Sequence, residues 1–194
     1  MKKIIYVTGA PATGKSTLTE NLHKRLPETN IFTYSEKLLT LVKDRSGLKA
    51  SQDELRRQSS NIITREDIEK LDKQLLSLAS SCRGRQNLVI DSHPVTIEKY
   101  GFRVTAFAKE QIKVLAPDVI ICLYARADII ADRISKNAAG RPLPTLSEID
   151  MHTQLQCQVA SIYAIETSAS LHFLDADYSP EVLLDNFMHV TKID

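Results

Sequence analysis

Five short apolar runs recur along the chain and predict its strands. They cover residues 4–8, 30–34, 87–91, 118–124 and 171–175. Each run is nearly continuous rather than alternating, which is typical of parallel strands that are covered on both faces. Stretches with helical patterning separate the runs, so the order of elements predicts an α/β fold with helices flanking a parallel five-stranded sheet. At 194 residues the chain fits a single domain, residues 1–194.

Two patterns predict helices between these strands. Apolar residues at 68, 71, 75 and 78 recur at helical spacing and should face the core. A hydroxyl residue followed three positions later by an acid forms a capping box, which satisfies backbone N–H groups at a helix start. These pairs are Ser51 with Glu54, Thr64 with Asp67, and Thr145 with Glu148, and Ser179 before Pro180 marks a further start.

Two regions interrupt the regular alternation. Residues 35–81 form a long helical excursion between the second and third strands, and residues 137–146 form a loop containing Gly and Pro between two helices. Ligands of open parallel sheets bind beyond the carboxyl ends of the strands. We therefore expect the loops and insertions at that edge to hold a second substrate.

The stretch after the first apolar run fits the pattern G-x-x-x-x-G-K-[ST] of a phosphate-binding P-loop. Its glycines allow the backbone to approach a phosphate, while successive N–H groups and the following helix N-terminus attract the anion. The lysine reaches the β- and γ-phosphates, and the hydroxyl that follows it binds Mg²⁺. We predict a nucleoside triphosphate site formed by Gly9, Ala10, Pro11, Ala12, Thr13, Gly14, Lys15, Ser16 and Thr17.

The third apolar run ends with Asp91, and His93 follows two positions later. A carboxylate at the end of a strand beside a P-loop can hold Mg²⁺ directly or through water. We therefore interpret Ser16 and Asp91 as metal ligands; the alternative for Asp91 is a cap on the turn before Pro94. His93 would orient a water molecule, contact a phosphate or serve as a structural histidine.

Arginines near the transferred phosphate are the next candidates. Phosphoryl transfer depends on positioning and charge neutralisation, and the guanidinium fork fits phosphate oxygens. Most other surface arginines are solvated or form weak ion pairs. The candidates by position are Arg56 in the first insertion, Arg103 in the loop after the third strand, Arg133 in the helix after the fourth strand, and Arg141 in the short loop.

Charge and cysteine content limit the partners. The 25 basic and 24 acidic residues provide no net field that would attract nucleic acid or a membrane. Three cysteines form no ligand-like cluster, and Cys122 lies in an apolar run as a core residue would. We see no signal peptide and no apolar stretch near the ~20 residues of a membrane span. We therefore expect a cytoplasmic protein with no membrane or nucleic-acid partner.

These motifs resemble those of the P-loop nucleoside monophosphate kinases, and more narrowly those of archaeal-type adenylate kinases, with a looser likeness to the eukaryotic nuclear adenylate kinase. Residues 8–16 are similar to the family's T-G-x-P-G-x-G-K-[ST] loop, and Asp91-Ser92-His93 matches its Asp-x-His. Residues 118–121 resemble its fourth strand, and residues 128–133 resemble the helix that leads to its ATP lid. The likeness extends over essentially the whole chain.

The resemblance implies a role for each matching residue on the donor side. Lys15 and Ser16 would bind the ATP phosphates and Mg²⁺, with Asp91 as a second metal contact. Arg133 would stack on the base of ATP.

On the acceptor side, the resemblance implies that Arg56 and Arg103 hold the acceptor's phosphate, since residues 101–103 are similar to a G-F-P-R segment of bacterial adenylate kinases. Residues 35–81 would bind the acceptor. Residues 137–146 would form the lid, from which Arg141 closes over the phosphates.

Three departures from the family pattern affect the interpretation. Ala12 replaces a glycine, Ala139 stands where lids often carry an arginine, and Cys157 replaces an arginine of the helix after the lid. Losing one such electrostatic contact can reduce a rate about 10²–10³-fold. We expect Mg·ATP-dependent transfer to a small acceptor, namely a nucleoside monophosphate such as AMP. The alternatives are a kinase of a non-nucleotide small molecule and an ATPase switch or assembly factor that acts through a partner.

Overall fold

A parallel five-stranded sheet forms the centre of the protein. The computed structural model describes residues 1–46, 63–136 and 143–194. Each predicted strand is present within one residue of its predicted bounds. The strands are β1 Ile4–Gly9, β2 Asn30–Thr33, β3 Leu88–Asp91, β6 Val119–Tyr124 and β7 Ser170–Asp175. Their spatial order in the sheet is β2-β3-β1-β6-β7.

Helices connect the strands and begin where the capping patterns predicted. Thr64 and Thr145 both form complete capping boxes, with Asp67 and Glu148. The Ser179 side chain accepts a hydrogen bond from the N–H of Val182, while the Ser51–Glu54 pair lies outside the described residues. The described helices are α1 Lys15–Arg25, α2 Tyr34–Ser46, α3 Arg65–Cys82, α4 Lys109–Leu115, α5 Ala127–Lys136, α6 Leu146–Thr167 and α7 Pro180–Thr191.

The two faces of the sheet pack against different helices. Alternate residues of β1 point to opposite faces, so Tyr6 belongs to one buried cluster and Val7 to the other. The Tyr6 face is covered by α2, α3, α4 and α6, and the Val7 face mainly by α1, α5 and α7. All six residues of β1 are buried, which explains why its sequence is apolar without alternation.

The register of the sheet brings the predicted site residues together. β1 pairs with β3 so that Val7 lies opposite Asp91, and with β6 so that Thr8 lies opposite Cys122. The P-loop leaves β1 at this edge. Lys15 and Asp91, which are 76 positions apart in the sequence, therefore approach the same edge of the sheet.

The connection after β3 differs from the expectation. The sequence predicts a loop at residues 101–103, but they belong to a two-stranded antiparallel sheet of β4 Val95–Glu98 and β5 Gly101–Val104. Arg103 lies opposite Thr96 in this hairpin. The strands are only four residues long, and β5 is not apolar, so the run-based criterion did not detect them. Among the described residues, no helix has the length and apolar character of a membrane span.

Candidate active site

The P-loop wraps around the N-terminus of α1. Gly9, Ala12 and Gly14 have φ angles of 149°, 62° and 90°, so three positions need backbone conformations that side chains disfavour. Ala12 adopts one of them despite its Cβ, at the position where the resembling family has glycine. No side chain caps α1 at Gly14, and its first turn has no acidic residue. The helix N-terminus therefore remains available to an anion.

Lys15 is held against the loop that precedes it. Its Nζ donates hydrogen bonds to the carbonyl oxygens of Gly9, at 2.7 Å, and Ala10, at 3.1 Å. Its side chain is largely buried, whereas Ser16 and Thr17 are exposed at the mouth of the loop. The ammonium group is therefore held against the backbone of the loop, with its charge beside the cleft described next.

A cleft of about 1420 Å³ opens over this loop. Sites for one small ligand usually measure about 300–1,000 Å³, so this cleft has room for two. Arg56 and Arg141 lie outside the described residues. Gly9, where the P-loop leaves β1, is not among the residues that line the cleft. The cleft brings together the remaining predicted site residues, which are Ala10, Pro11, Ala12, Thr13, Gly14, Lys15, Ser16, Thr17, Asp91, His93, Arg103 and Arg133.

Asp91 has the properties of a metal ligand. It is 6% exposed, and among the described residues its Oδ1 has no hydrogen-bond partner. Burial raises the pKa of its carboxyl, and the positive charge of Lys15 opposes this effect. No group of three metal-binding side chains occurs in the described part of the chain. Mg²⁺ commonly takes one or two protein ligands and completes its shell with water and substrate phosphates, so Asp91 with Ser16 fits this ion.

Arg133 connects the P-loop to the far end of the sheet. Its Nη1 donates to the carbonyl oxygen of Ala12 at 3.3 Å, and its Nη2 donates to that of Ala176, after β7, at 2.7 Å. The guanidinium group thus lies on the α5 side of the cleft, between the P-loop and the segment that begins α7.

Arg103 lies on the hairpin side of the cleft. Its Nη2 is 3.4 Å from Oε1 of Glu98, which also accepts a hydrogen bond from Thr96. The Nε of Arg103 is buried and has no hydrogen-bond partner among the described residues. His93 is half-buried and lines the same cleft. Arg103 thus reaches the cleft from a strand of the hairpin.

Sequence reasoning missed an aromatic wall of the cleft, formed by Tyr6, Tyr34, Phe107 and Tyr163. The Phe107 ring centroid lies 6.3 Å from that of Tyr34 and 6.1 Å from that of Tyr163, and Tyr6 lies 5.5 Å from Tyr163. The Tyr163 hydroxyl accepts a hydrogen bond from the N–H of Phe107 at 2.7 Å. These rings come from four separate segments, and no sequence pattern joined them.

Asp72 is a second missed residue of the cleft, and it lies beside the aromatic wall. Its Oδ1 accepts a 2.8 Å hydrogen bond from the Tyr34 hydroxyl, and its Oδ2 accepts a 3.2 Å bond from Gln111. Burial raises the pKa of the Asp72 carboxyl, and these two hydrogen bonds oppose the effect. The sequence did contain a signal, because this acid follows Leu71 on the apolar face of α3.

Cys157, where the resembling family has an arginine, packs onto the sheet. Its sulfur lies 3.4 Å from the sulfur of Cys122, which is fully buried in β6 as predicted. The hydrogen bond to Cys157 and burial raise the pKa of Cys122, so this group remains a thiol. Neither cysteine is among the described residues that line the cleft.

Solved structures share this architecture. A sugar kinase from Janibacter sp. has a TM-score of 0.56 at 15% identity, with 100% of this chain and 96% of that chain covered. Shikimate kinase from Aquifex aeolicus has a TM-score of 0.59 at 19% identity, with 97% and 96% covered. The tunicamycin resistance protein of Deinococcus radiodurans has a TM-score of 0.60 at 15% identity, with 100% and 98% covered. These likenesses confirm the fold class.

Proteins similar in sequence indicate a narrower group than the similar structures do. An adenylate kinase from Methanothermobacter thermautotrophicus is 28% identical over 173 residues, which cover 87% of this chain and 88% of that protein. An adenylate kinase from Pyrobaculum aerophilum is 27% identical over 178 residues, covering 91% and 86%. The resemblance to archaeal adenylate kinases is thereby confirmed. A family model described as an AAA domain matches residues 8–150, which include the P-loop, the Asp91 strand and Arg133. Because this match covers most of the chain, the protein belongs to the AAA domain family.

Proposed function

We propose that the protein transfers the γ-phosphoryl group of ATP to a nucleoside monophosphate. The observation that carries this proposal is the aromatic wall, because it shares one cleft with the P-loop and its half-buried rings, Tyr34 and Phe107, offer apolar surface for a planar base. Similarity to adenylate kinases supports ATP-dependent phosphoryl transfer as the reaction.

The donor would occupy the P-loop side of the cleft. N–H groups of the loop and of the first turn of α1 would bind the phosphates, with Lys15 placed to neutralise their charge. Arg133, fixed by the carbonyl groups of Ala12 and Ala176, would contact the base of ATP. Ser16 and Asp91 would hold Mg²⁺, which supplies positive charge to the β- and γ-phosphate oxygens.

The acceptor would occupy the side formed by α2, α3 and the hairpin. Arg103 would exchange its contact with Glu98 for the acceptor phosphate, which carries more charge and fits the guanidinium fork. Asp72 would accept a hydrogen bond from a ring N–H or amino group of the base. Arg56 would assist at the phosphate, within residues 35–81 as the acceptor-binding region.

The reaction would need little covalent chemistry from the protein. Arginines and Lys15 would hold the two substrates in line and neutralise charge while an oxygen of the acceptor phosphate forms a bond to the γ-phosphorus and the bond from that phosphorus to the bridging oxygen of ADP breaks. Residues 137–146 would close as a lid that carries Arg141 and excludes water, since water would otherwise hydrolyse ATP. His93 would contact the transferred phosphoryl group or orient it.

An acceptor panel tests the proposal. Purified protein is incubated with Mg·ATP and AMP, CMP, UMP, GMP, dTMP or no acceptor, and nucleoside diphosphates are measured by chromatography. We expect acceptor-dependent ADP formation with at least one nucleotide. Lys15→Ala should abolish it, and Lys24→Ala, an exposed substitution on the same helix, should not.

A second comparison separates acceptor classes. Arg103→Ala should raise the KM of a phosphorylated acceptor at least tenfold, whereas Arg85→Ala, at an exposed position, should leave it unchanged. Turnover of sugars or hydroxy acids, with none of the nucleotides, would instead favour a non-nucleotide acceptor. Slow ADP release that no acceptor stimulates would favour an ATPase switch.

A further inference from the structure

Helix α6 carries two polar side chains on its buried face, one turn apart. His152 is 3% exposed, and Gln156 is fully buried. A buried amide or imidazole without hydrogen-bond partners would destabilise the fold by about 1–3 kcal/mol. The hydrogen-bond partners of His152 and Gln156 therefore indicate which segments these side chains hold together.

Gln156 bridges two segments of the site. Its Oε1 accepts a hydrogen bond from the Thr8 hydroxyl at 3.1 Å, and its Nε2 donates to the carbonyl oxygen of Val95 at 3.1 Å. The orientation of the amide follows from chemistry, because a carbonyl oxygen only accepts. The Nε2 must therefore face Val95, and Thr8 must be the donor.

His152 binds the same carbonyl oxygen. Its Nε2 is 2.9 Å from the oxygen of Val95, so this nitrogen carries the proton. The 3.4 Å separation between the Nε2 atoms of His152 and Gln156 then joins two donors and is not a hydrogen bond. Burial lowers the pKa of His152, which agrees with a neutral ring. Both lone pairs of the Val95 oxygen are thus used by α6.

The two bridged positions flank the proposed phosphate and metal groups. Thr8 directly precedes Gly9, the first residue of the P-loop, and Val95 ends the short segment that begins at Asp91. At its start, this segment is held to β1 by the hydrogen bond from the N–H of Ser92 to the oxygen of Val7, at 3.0 Å. Its other end is held from two sides, by α6 through the oxygen of Val95 and by the hairpin through the hydrogen bond from the N–H of Thr105 to the oxygen of Pro94, at 2.7 Å.

We propose that Gln156 and His152 are positioning residues that hold the segment from Asp91 to Val95 in register with the P-loop, and thereby set the affinity for Mg²⁺ in the nucleotide complex. This inference rests on the metal role proposed for Asp91. Residues that orient a metal ligand typically contribute 10–100-fold to metal affinity or activity. Gln156 would not touch the reacting atoms, since it does not line the cleft and both ends of its amide are occupied.

The experiment compares Gln156→Leu with Gln154→Leu, which makes the same change at an exposed position of α6. Equilibrium binding of ADP is measured with Mg²⁺ and with EDTA, together with the Mg²⁺ concentration that gives half-maximal activity. For Gln156→Leu we expect that concentration to rise about tenfold, and the gain in ADP affinity from Mg²⁺ to shrink by a similar factor. Binding in EDTA should change less than twofold, and Gln154→Leu should match the unchanged protein.

Two further variants keep the inference falsifiable if Gln156→Leu does not fold. Thr8→Val removes one hydroxyl at nearly constant shape and should show the same metal-specific effect, more weakly. His152→Gln, which keeps a donor towards Val95, should retain Mg²⁺ affinity better than His152→Leu.

The inference is wrong if thermal stability falls while Mg²⁺ dependence stays normal, or if ADP binding weakens equally with Mg²⁺ and with EDTA. A failure of the proposed acceptor would look different, because no nucleotide would be phosphorylated while the metal-specific shift in ADP binding persisted.

Discussion

The hydroxyl group of Tyr34 donates a 2.8 Å hydrogen bond to Asp72, which joins the start of α2 to the second turn of α3. Both residues line the cleft, and the ring of Tyr34 is also part of the aromatic wall. Burial is the main effect that raises the pKa of the Tyr34 hydroxyl, and the charge of Asp72 adds to it, so this group stays a donor. The pair fixes a carboxylate beside the surface that would bind a base.

The first prediction concerns this hydrogen bond. Tyr34→Phe keeps the ring but leaves Asp72 with one donor fewer, which should weaken acceptor binding by about 1–1.5 kcal/mol, or roughly five- to tenfold in acceptor KM. The KM of ATP should not change. Steady-state kinetics with each substrate varied would show the split, and Tyr100→Phe, 71% exposed, is the matched control. Equal increases in both KM values would contradict a role at the acceptor.

Asp91 should show opposite effects on activity and stability. Asp91→Asn removes the charge of a buried carboxylate, whose Oδ1 has no hydrogen-bond partner among the described residues. We therefore expect Tm without nucleotide to rise by about 2–4 °C, which is the shift that about 1 kcal/mol produces in a domain of this size. Phosphoryl transfer should fall at least 10²-fold, because a metal ligand is lost. Asp150→Asn, at an exposed position, should change neither quantity.

The pH dependence of this Tm difference has a definite sign. Burial raises the pKa of Asp91, so the folded protein holds this proton more tightly than the unfolded chain does. The group's destabilising effect is therefore absent below the ordinary carboxyl pKa and develops as pH rises through the raised pKa. Calorimetry from about pH 4 to 8 should show that the Tm of Asp91→Asn, relative to that of the unchanged protein, increases with pH. A Tm difference that is constant with pH would contradict this account.

Gly9 should not accept any side chain. A Cβ built there would lie 2.6 Å from the backbone oxygen of Leu123, at a φ of 149° that L-residues rarely adopt. We expect Gly9→Ala to destabilise the protein by about 3 kcal/mol and to weaken ATP binding more than tenfold, measured by denaturation and titration. Gly84 is the control, because it also has a positive φ but a Cβ built there would have no atom within 4 Å. Gly84→Ala should therefore destabilise the protein by about 1 kcal/mol and leave ATP affinity unchanged.

Arg133 should act on the donor alone. Arg133→Met removes the donors to the carbonyl oxygens of Ala12 and Ala176, which loosens the P-loop against the end of β7. We expect the KM of ATP to rise about tenfold and that of the acceptor to change less than twofold. Lys136→Met, one turn later and 74% exposed, is the control. An increase in the KM of the acceptor alone would contradict the placement of Arg133 on the donor side of the cleft.

Much of the site could be predicted because it is local in sequence. A P-loop needs glycines, a lysine and a hydroxyl at fixed spacing between a strand and a helix, and residues 4–25 show all of these together. Asp91 was predictable for a similar reason, since it ends an apolar strand. Arg103, predicted beside the phosphates, lines the cleft, although it lies on a strand of a hairpin and not in a loop.

The remaining residues of the site could not be read from the sequence, because they act on distant partners. Asp72 could have been noticed as an acid on an apolar helix face, yet its partners Tyr34 and Gln111 lie on two other helices. Gln156 gave no signal at all, since its role depends on contacts with Thr8 and Val95, 148 and 61 positions away.

The sequence alone therefore determined the five strands, the parallel α/β class and the phosphate loop, because hydrophobic spacing and backbone requirements act over a few residues. Only the tertiary structure decided which side chains share the cleft. Hydrogen bonds and ring contacts are made at distances of a few ångströms between segments whose relative placement depends on the packing of the whole sheet and its helices.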